Sequence, residues 1–600
     1  MPRDTPTSAT TTHTCCSCPS STSQNGPSSI KSQSQAQELD TLLSALTSML
    51  VTYVDQNHSP TTPVLRYTPP HDLAARLQLT FSPTPSSLAD ILAMFQRTLD
   101  YSVRTGHPLF LDKLYTGVTP IGIATELLTG ALNINTHVFQ ASPVGTLMEM
   151  ACLAELRRLI GYPVQGGSGL MSPGGSMSNL IAMVTARNHK FPKVKSHGLV
   201  GMPPWPAMVI GLGKRQVFKV RTTENGCMIP EDLEKQIEDA KARGYLPFFV
   251  NATAGTTVLC SFDPIRAIAA ITKRHNLWLH VDGSWGGSVL FSSQHKDLLD
   301  GVHLSDSFVV NPHKMLGVPL QCSCLLVAHP PKTMAKANSS KAGYLYHSLP
   351  AGLHHHHHPT HHAQAKDDAA DDGNDTDSSA TSGSDSDHDD DDDNDSGMPC
   401  MSASMADGDT DDLVYDLGNL GIGCGRRADG VKLYLSWKYE GTDGYAARVD
   451  RAFAMASTLR AKIRALQPAL LPIFAREGKA QVGEHGANVC FWYVPRAWQA
   501  QWTPDEMRAK MRADKKMARA MAGVTAAMRV RMLHRGVAMV DYAPLPEPHP
   551  LPSFFRVPMN APTVQEEHLD RLLAEIVEVG RQVERDMGLE VGEVEIEVKG

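Results

Sequence analysis

From residue 227 to residue 317 short apolar runs alternate with helical stretches, and this alternation constrains the fold more than any other feature of the chain. Pro230 opens a helix to about Ala242. Leu246–Asn251 reads as a strand, Asp263-Pro264 begins the next helix, and Leu277–Val281 and Phe308–Val310 read as two further strands. Strand–helix units of this length imply crossover connections and a mostly parallel, doubly wound sheet, an α/β fold. Such sheets bind ligands at the carboxyl ends of their strands. Two of these ends carry chemistry. One strand ends in Asp282, and the next leads through Asn311-Pro312-His313 to Lys314, in a turn punctuated by Pro312 and Gly317.

A lysine buried at such an end has a lowered pKa, and its neutral amine can condense with an aldehyde. A neighbouring aspartate can keep the ring nitrogen of pyridoxal phosphate protonated, which makes the ring an electron sink. The two residues, about 30 positions apart, are more specific together than either alone. Upstream, Gly166-Gly167-Ser168-Gly169 and Gly174-Gly175-Ser176 precede a helix that Ser178 or Asn179 can cap. Bare backbone N–H groups at a helix start suit a phosphate, so Gly175 and Ser176 form a candidate cradle.

Seven stretches, in order, carry a family resemblance. They are Ser172–Asn179, Asn251–Thr257, His280–Gly287, Asn311–Gly317, Gln321-Cys322-Ser323, Cys424-Gly425-Arg426-Arg427 and Phe554-Phe555-Arg556. The chain resembles the group II pyridoxal-phosphate decarboxylases, on the branch of glutamate and cysteine sulfinate decarboxylases. The resemblance implies an aspartate-aminotransferase-like fold, a homodimer with shared sites and pyridoxal 5'-phosphate as cofactor. It implies that Lys314 carries the cofactor, that Asp282 faces its ring nitrogen, and that Asn311 and His313 help hold its phosphate. Thr253 would bond a cofactor oxygen, and Arg556 would hold the substrate α-carboxylate. Tyr344, in Lys341–Tyr346, would return a proton to the substrate carbon. Trp285-Gly286-Gly287 matches the acidic-substrate branch, whereas aromatic-substrate relatives carry Tyr-Ala-Gly. Glutamate, cysteine sulfinate or aspartate is therefore expected. Acidic-substrate relatives carry Asn-Gln where Asp112-Lys113 stands here, and Lys113 could attract a distal carboxylate or sulfinate.

The sequence divides into a disordered tail (1–36), an N-terminal helical segment (37–115), a large cofactor domain (116–449) and a small α+β domain (450–600). Leu39, Leu42, Leu43, Leu46 and Leu50 mark one amphipathic helix over 37–56, and a second is expected from Ser87 to Arg104. In the small domain Asn488–Tyr493 reads as a strand, 504–535 as one basic, Met-rich helix and 563–586 as a last one.

Two departures from the family stand out. After residue 201 the chain runs almost directly into an expected strand, Val217–Val220, without the family's Ser-x-x-His loop, whose His stacks on the cofactor ring. Either Trp205 stacks instead, or the sequence is an incomplete gene product, or the protein is catalytically impaired; loss of a whole unit between intact motifs favours the second. Residues 350–412, with His354–His358 and Asp389–Asp393, cannot bury enough apolar surface to fold. They read as a tolerated insertion in the catalytic loop, or as a metal-binding or interaction flap. No metal site is expected in the folded part.

Residues 366–412 hold about 18 Asp and dominate the net charge of −8, so the rest is mildly basic, which suits an anionic cofactor and substrate. Basic residues are not interleaved with aromatics, which argues against nucleic acid. No apolar run reaches the roughly 18 residues of a membrane span. The 11 cysteines include Cys15, Cys16 and Cys18 in the tail and are otherwise scattered, which reads as reduced thiols and a cytoplasmic location, with an organelle address in the tail as the alternative.

Overall fold

The computed structural model describes residues 34–163, 166–198, 217–339, 415–474 and 486–589. It begins with three helices, α1 (Gln35–Gln56), α2 (Pro70–Leu77) and α3 (Leu88–Tyr101), none of which buries a residue. Ser34 and Ser87 start α1 and α3 with reciprocal capping bonds to Gln37 and Asp90. Helix α3 stops three residues short of the expected Arg104, whose guanidinium instead bonds Tyr53 O, Asn57 and Gln56 and ties the segment back to α1.

The short strand β1 (Phe110–Leu111) is followed by α4 (Pro120–Leu132), α5 (Pro143–Ile160), β2 (Ser168–Ser172), α6 (Gly175–Lys190) and α7 (Pro230–Ala242). Then come β3 (Phe249–Thr253), α8 (Ile265–Arg274), β4 (Trp278–Gly283), β5 (Ser307–Val310), β6 (Ser323–Val327) and α9 (Pro331–Asn338). The sheet order is β2-β6-β5-β4-β3. Strands β3, β4 and β5 pair in parallel, and β6 runs against both β5 and β2, so four of the five strands point the same way. The expected mostly parallel sheet is present. Strand β6 is reversed because the connection from β5 contains no helix to carry the chain back across the sheet.

Both faces of this sheet are covered, which is why its strands read as continuous apolar runs. Leu279, Val281, Phe308 and Val310 enter one core with Leu153, Ile268 and Phe453. Trp278, Val309, Leu325 and Val327 enter another, beneath α6. Each such side chain contributes roughly 1.5–3 kcal/mol by leaving water. The β3 strand lies three residues later than expected at its start, and residues 217–220 are not a strand; only Thr222 bridges to Met228.

Helix α10 (Asp429–Ala465), broken by the non-helical backbone of Gly441, links this core to a second sheet. There β7 (Leu470–Pro472), β8 (Asn488–Tyr493), α11 (Pro504–Ala513), α12 (Lys515–Arg535), β9 (Met539–Leu545), β10 (Leu551–Pro558) and α13 (Glu566–Asp586) follow in turn. The order is β1-β9-β10-β8-β7, so β1 from the N-terminal segment closes one edge by pairing in parallel with β9. The single helix expected over 504–535 is two. Asp514 leaves helical geometry, and its carboxylate accepts the N–H groups of Lys516 and Met517 as the N-cap of α12.

Arg426 clamps α5 to the large sheet. Arg426 ion-pairs with the fully buried Glu149 on α5 and bonds Thr136 O at 2.7 Å, while Glu149 accepts the Met171 N–H of β2 at 2.9 Å. Asp514→Ala should lower stability by about 1 kcal/mol, read as a lower urea midpoint, and Asp514→Asn should restore most of it. Equal losses in both variants would mean that the cap is not the stabilising feature.

Candidate active site

Strands β3, β4 and β5 end at one edge of the sheet, and the expected residues gather there. Thr253 and Asp282 are register partners at the ends of β3 and β4, and Lys314 follows β5 by one turn, with its N–H on Asn311 O at 3.0 Å. Burial holds the Lys314 ammonium below its ordinary pKa; Asp282 opposes this shift and Arg556 adds to it. His313 is buried, donates its Nδ1–H to Cys322 O at 2.6 Å, and is pushed by burial to a pKa of about 4, so its ring is neutral.

Asp282 stays ionised although burial opposes it, because hydrogen bonds from Ser284 and Asn179 hold its pKa below the usual value. The Ser284 N–H donates to Oδ1 at 2.9 Å and Asn179 Nδ2 to Oδ2 at 2.7 Å. Asn179 Oδ1 in turn lies 3.0 Å from His280 Nε2, and His280 Nδ1 lies 2.8 Å from Ser307 Oγ, which also accepts the Trp278 indole N–H at 2.8 Å. His280 is fully buried and pushed to about 4, hence neutral. With Asn179 Nδ2 committed to the carboxylate, one tautomer satisfies the chain: Ser307 O–H donates to Nδ1 and Nε2–H donates to Asn179 Oδ1. The sequence reading had offered Ser178 or Asn179 as a helix cap. Instead α6 begins at Gly174 without a side-chain cap, Asn179 supports Asp282, and Ser178 bonds Ser172 and Ser323. The roles of Asn179, His280, Ser284 and Ser307 are not visible in the sequence, because they depend on which side chains meet across α6, β4 and β5.

Helix α6 starts at the same edge because β2 also ends there. Gly175 is pressed against the site: a Cβ on it would stand 2.3 Å from Ser284 Oγ and 2.8 Å from Asn311 Nδ2. Asn311 is held by Ser323 Oγ, which donates to its Oδ1 at 2.7 Å. Ser176 is exposed in the first turn. The other glycine run is not part of the cradle, since Ser168 and Gly169 already belong to β2.

Arg556 reaches the site from the centre of β10 and is 4% exposed. Its Nη1 donates to Thr257 O at 2.9 Å, and its Nη2 donates to Asp112 O at 3.0 Å and to Asp541 Oδ2 at 2.5 Å. Nε is buried without a partner. Lys113 is half-exposed, and its ammonium lies 3.3 Å from Asp112 and 3.5 Å from Asp541. Tyr344, the stretch after residue 201 with Trp205, the His/Asp-rich segment and the tail cysteines lie outside the described residues.

The family profile described as "Pyridoxal-dependent decarboxylase conserved domain" matches residues 70–203, 206–360 and 401–494. The chain belongs to the pyridoxal-dependent decarboxylase family. The matched stretches break between residues 203 and 206 and between 360 and 401, the second break within the His/Asp-rich segment. The crystal structure of mouse CSAD, cysteine sulfinic acid decarboxylase, is similar at 31% identity and a TM-score of 0.73, covering 91% of this chain and 99% of that one. Among other decarboxylase structures, Oryza sativa TDC with PLP and tryptamine matches at 20% identity and a TM-score of 0.68, covering 91% and 98%. Catharanthus roseus tryptophan decarboxylase in complex with L-tryptophan matches at 19% and 0.66, covering 92% and 100%. This decarboxylase therefore sits on the glutamate and cysteine sulfinate branch of the family, is a carboxy-lyase acting on an amino acid, and uses pyridoxal phosphate.

The residues present fit that cofactor. An exposed hydroxyl and free N–H groups at the start of α6 suit a phosphate, a half-buried ionised carboxylate suits a protonated pyridine, and a partly buried amine of lowered pKa stands at the next strand end. The described residues also bring Glu234, Glu238 and His275 together with ligand atoms within 4.8 Å. Glu234 is already bonded to Arg274 at 2.6 Å and His275 Nδ1 lies 2.8 Å from Lys241 Nζ, so the cluster is held by the protein's own cations.

His107, His280 and His313 are all buried and pushed to about 4 from the ordinary 6.5. Between those values the unfolded chain takes up protons that the folded one refuses. Stability is therefore full above pH 6.5 and falls toward pH 4, by up to about 1.4 kcal/mol per pH unit for each histidine. Urea unfolding from pH 4 to 7 should show this slope, and His107→Gln should reduce it by one histidine's share; an unchanged slope would mean that His107 is protonated in the folded protein.

Proposed function

We propose that this decarboxylase acts on an acidic L-amino acid, namely cysteine sulfinate, glutamate or aspartate, releasing CO₂ and the corresponding amine. The observation that carries this reading is the 31% identity to mouse CSAD over nearly the whole length of both chains, against 19–20% to the two plant decarboxylases. The Trp285-Gly286-Gly287 sequence agrees with it. Trp285 is 1% exposed, and Gly286 packs so closely on Ala254 that a Cβ would stand 2.6 Å from its carbonyl oxygen.

Each residue takes a role from its chemistry. Gly175, Ser176, Asn311 and His313 hold the cofactor phosphate, and Thr253 contacts a cofactor oxygen. Asp282, kept ionised by Ser284 and Asn179, holds a proton on the ring nitrogen. Pyridoxal phosphate, when bound, supplies the ring that accepts the electron pair left by departing CO₂. Lys314 would anchor the cofactor through Nζ. Arg556 orients the substrate carboxylate with a planar pair of donors. Tyr344 returns a proton to the substrate carbon.

The protein acts as a homodimer in a reducing, cytoplasmic setting. The unburied N-terminal helices support the dimer: Leu39 is 54% and Val51 65% exposed, and Leu127, Leu128, Val144 and Leu147 add an apolar surface on α4 and α5. A second copy of this chain would cover it.

CO₂ release should be measured with cysteine sulfinate, glutamate and aspartate, and with tryptophan and tyrosine as controls. Turnover of at least one acidic substrate and none of the aromatic ones is expected. Lys314→Ala should lose at least about 10³-fold in rate. Turnover confined to an aromatic amino acid would overturn the substrate assignment. Light scattering at micromolar concentration should give about twice the chain mass; a monomer would overturn the dimer.

A further inference from the structure

The Arg556 site already contains a carboxylate. Asp541, the cross-strand partner of Arg556 on β9, places Oδ2 2.5 Å from Nη2. The same oxygen lies 3.5 Å from Lys113 Nζ, and Oδ1 accepts the Tyr542 N–H at 2.9 Å. Asp541 thus grips the guanidinium with one oxygen only. Nη1 is occupied by Thr257 O, while Nε, buried and unpartnered, leaves the Nε–Nη2 edge half used. Asp112 does not compete for Lys113 alone, because its Oδ1 also lies 3.1 Å from Arg529.

We propose that Asp541 is a specificity-determining place-holder: it occupies Arg556 in the substrate-free protein, is displaced by the substrate carboxylate, and passes to Lys113. This inference rests on the proposed role of Arg556 as the carboxylate anchor. The exchange follows from counting bonds. An incoming carboxylate can make two parallel hydrogen bonds, to Nε and Nη2, where Asp541 makes one, and it satisfies the orphaned Nε–H. Asp541 does not become an unpaired buried anion, because Lys113 is already beside it. No net charge is stranded at either end of the exchange. A molecule without a carboxylate cannot dislodge Asp541, so the site stays closed to it. Apparent affinity is lowered by the fraction of time Asp541 holds the anchor, and removing its charge removes that penalty. Lys113, in this arrangement, acts on Asp541 rather than on the substrate, which accounts for a lysine that is held between two aspartates and yet stands near the anchor.

The test is a double-mutant cycle on the full-length holoenzyme, with calorimetric binding of propionate and glutarate as non-reacting probes and KM for the turned-over substrate measured alongside. Asp541→Asn should bind both probes about tenfold tighter and lower KM. Lys113→Met should bind both several-fold more weakly, and should have no effect when added to Asp541→Asn, because its partner charge is then gone. Unchanged or weaker binding in Asp541→Asn would overturn the proposal. So would a loss on Lys113→Met that persists in the double variant or is confined to glutarate, which would mean that Lys113 contacts the distal carboxylate directly. Should Asp541→Asn unfold, judged by its melting temperature, the Lys113→Met arm with both probes still decides between these outcomes. Arg556→Gln separates the two layers: if it leaves propionate affinity unchanged, the anchor assignment itself has failed, whereas loss of binding there combined with a neutral Asp541→Asn rejects only the exchange.

Discussion

Keeping one carboxylate ionised in the interior is the constraint on which this site depends. Asp282 is half-buried between the sheet and α6, where desolvation favours taking up a proton over remaining charged. It remains charged because three elements supply donors: the chain just beyond β4 through Ser284, α6 through Asn179, and β5 indirectly through Ser307 and His280. The neutral His280 is as necessary as the donors. With Ser307 donating to Nδ1, the remaining ring N–H turns the Asn179 amide the right way round, and the amide then turns its NH₂ toward Asp282. A side chain with different donors anywhere along this chain would leave a buried polar group unsatisfied.

The positions of α6 and of the strand ends follow from the same geometry. Parallel strands β3, β4 and β5 bring Thr253, Asp282 and Lys314 to one edge, and β2, though separated from β4 by β5 and β6, runs in the same direction and delivers the start of α6 there. Glycine at 175 allows the helix to approach until its backbone touches Ser284 and Asn311. The second sheet then contributes Arg556 from its central strand, tied to the first sheet through Thr257 O and to the N-terminal segment through Asp112 O. The site is a junction of two sheets.

Much of this was legible in the chain. The apolar runs around Leu279 and Phe308 announced buried parallel strands, because only strands covered on both faces omit polar alternation. Asp282, Lys314 and Gly175 stood out because they lie at or just beyond a strand end or open a helix, positions defined by local pattern, whereas Asn311 came only with the family resemblance. Local pattern failed where a competing interaction won. Asp514 looked like one more polar position on a long helix and instead caps a new one; Asn179 looked like a cap and instead turns inward to Asp282.

The sequence by itself determined the family, the cofactor chemistry and the direction of the sheet, because these depend on residue types at strand and helix ends, a few positions apart. Tertiary structure alone decided the partners of those residues. His280 is 101 residues from Asn179, and Asp112 is 444 from Arg556. No periodicity links such positions, and only packing of α6 on β4 and of β1 on β9 brings them within hydrogen-bonding distance. That is why the charge state of Asp282 and the occupancy of Arg556 belong to the fold and not to any motif.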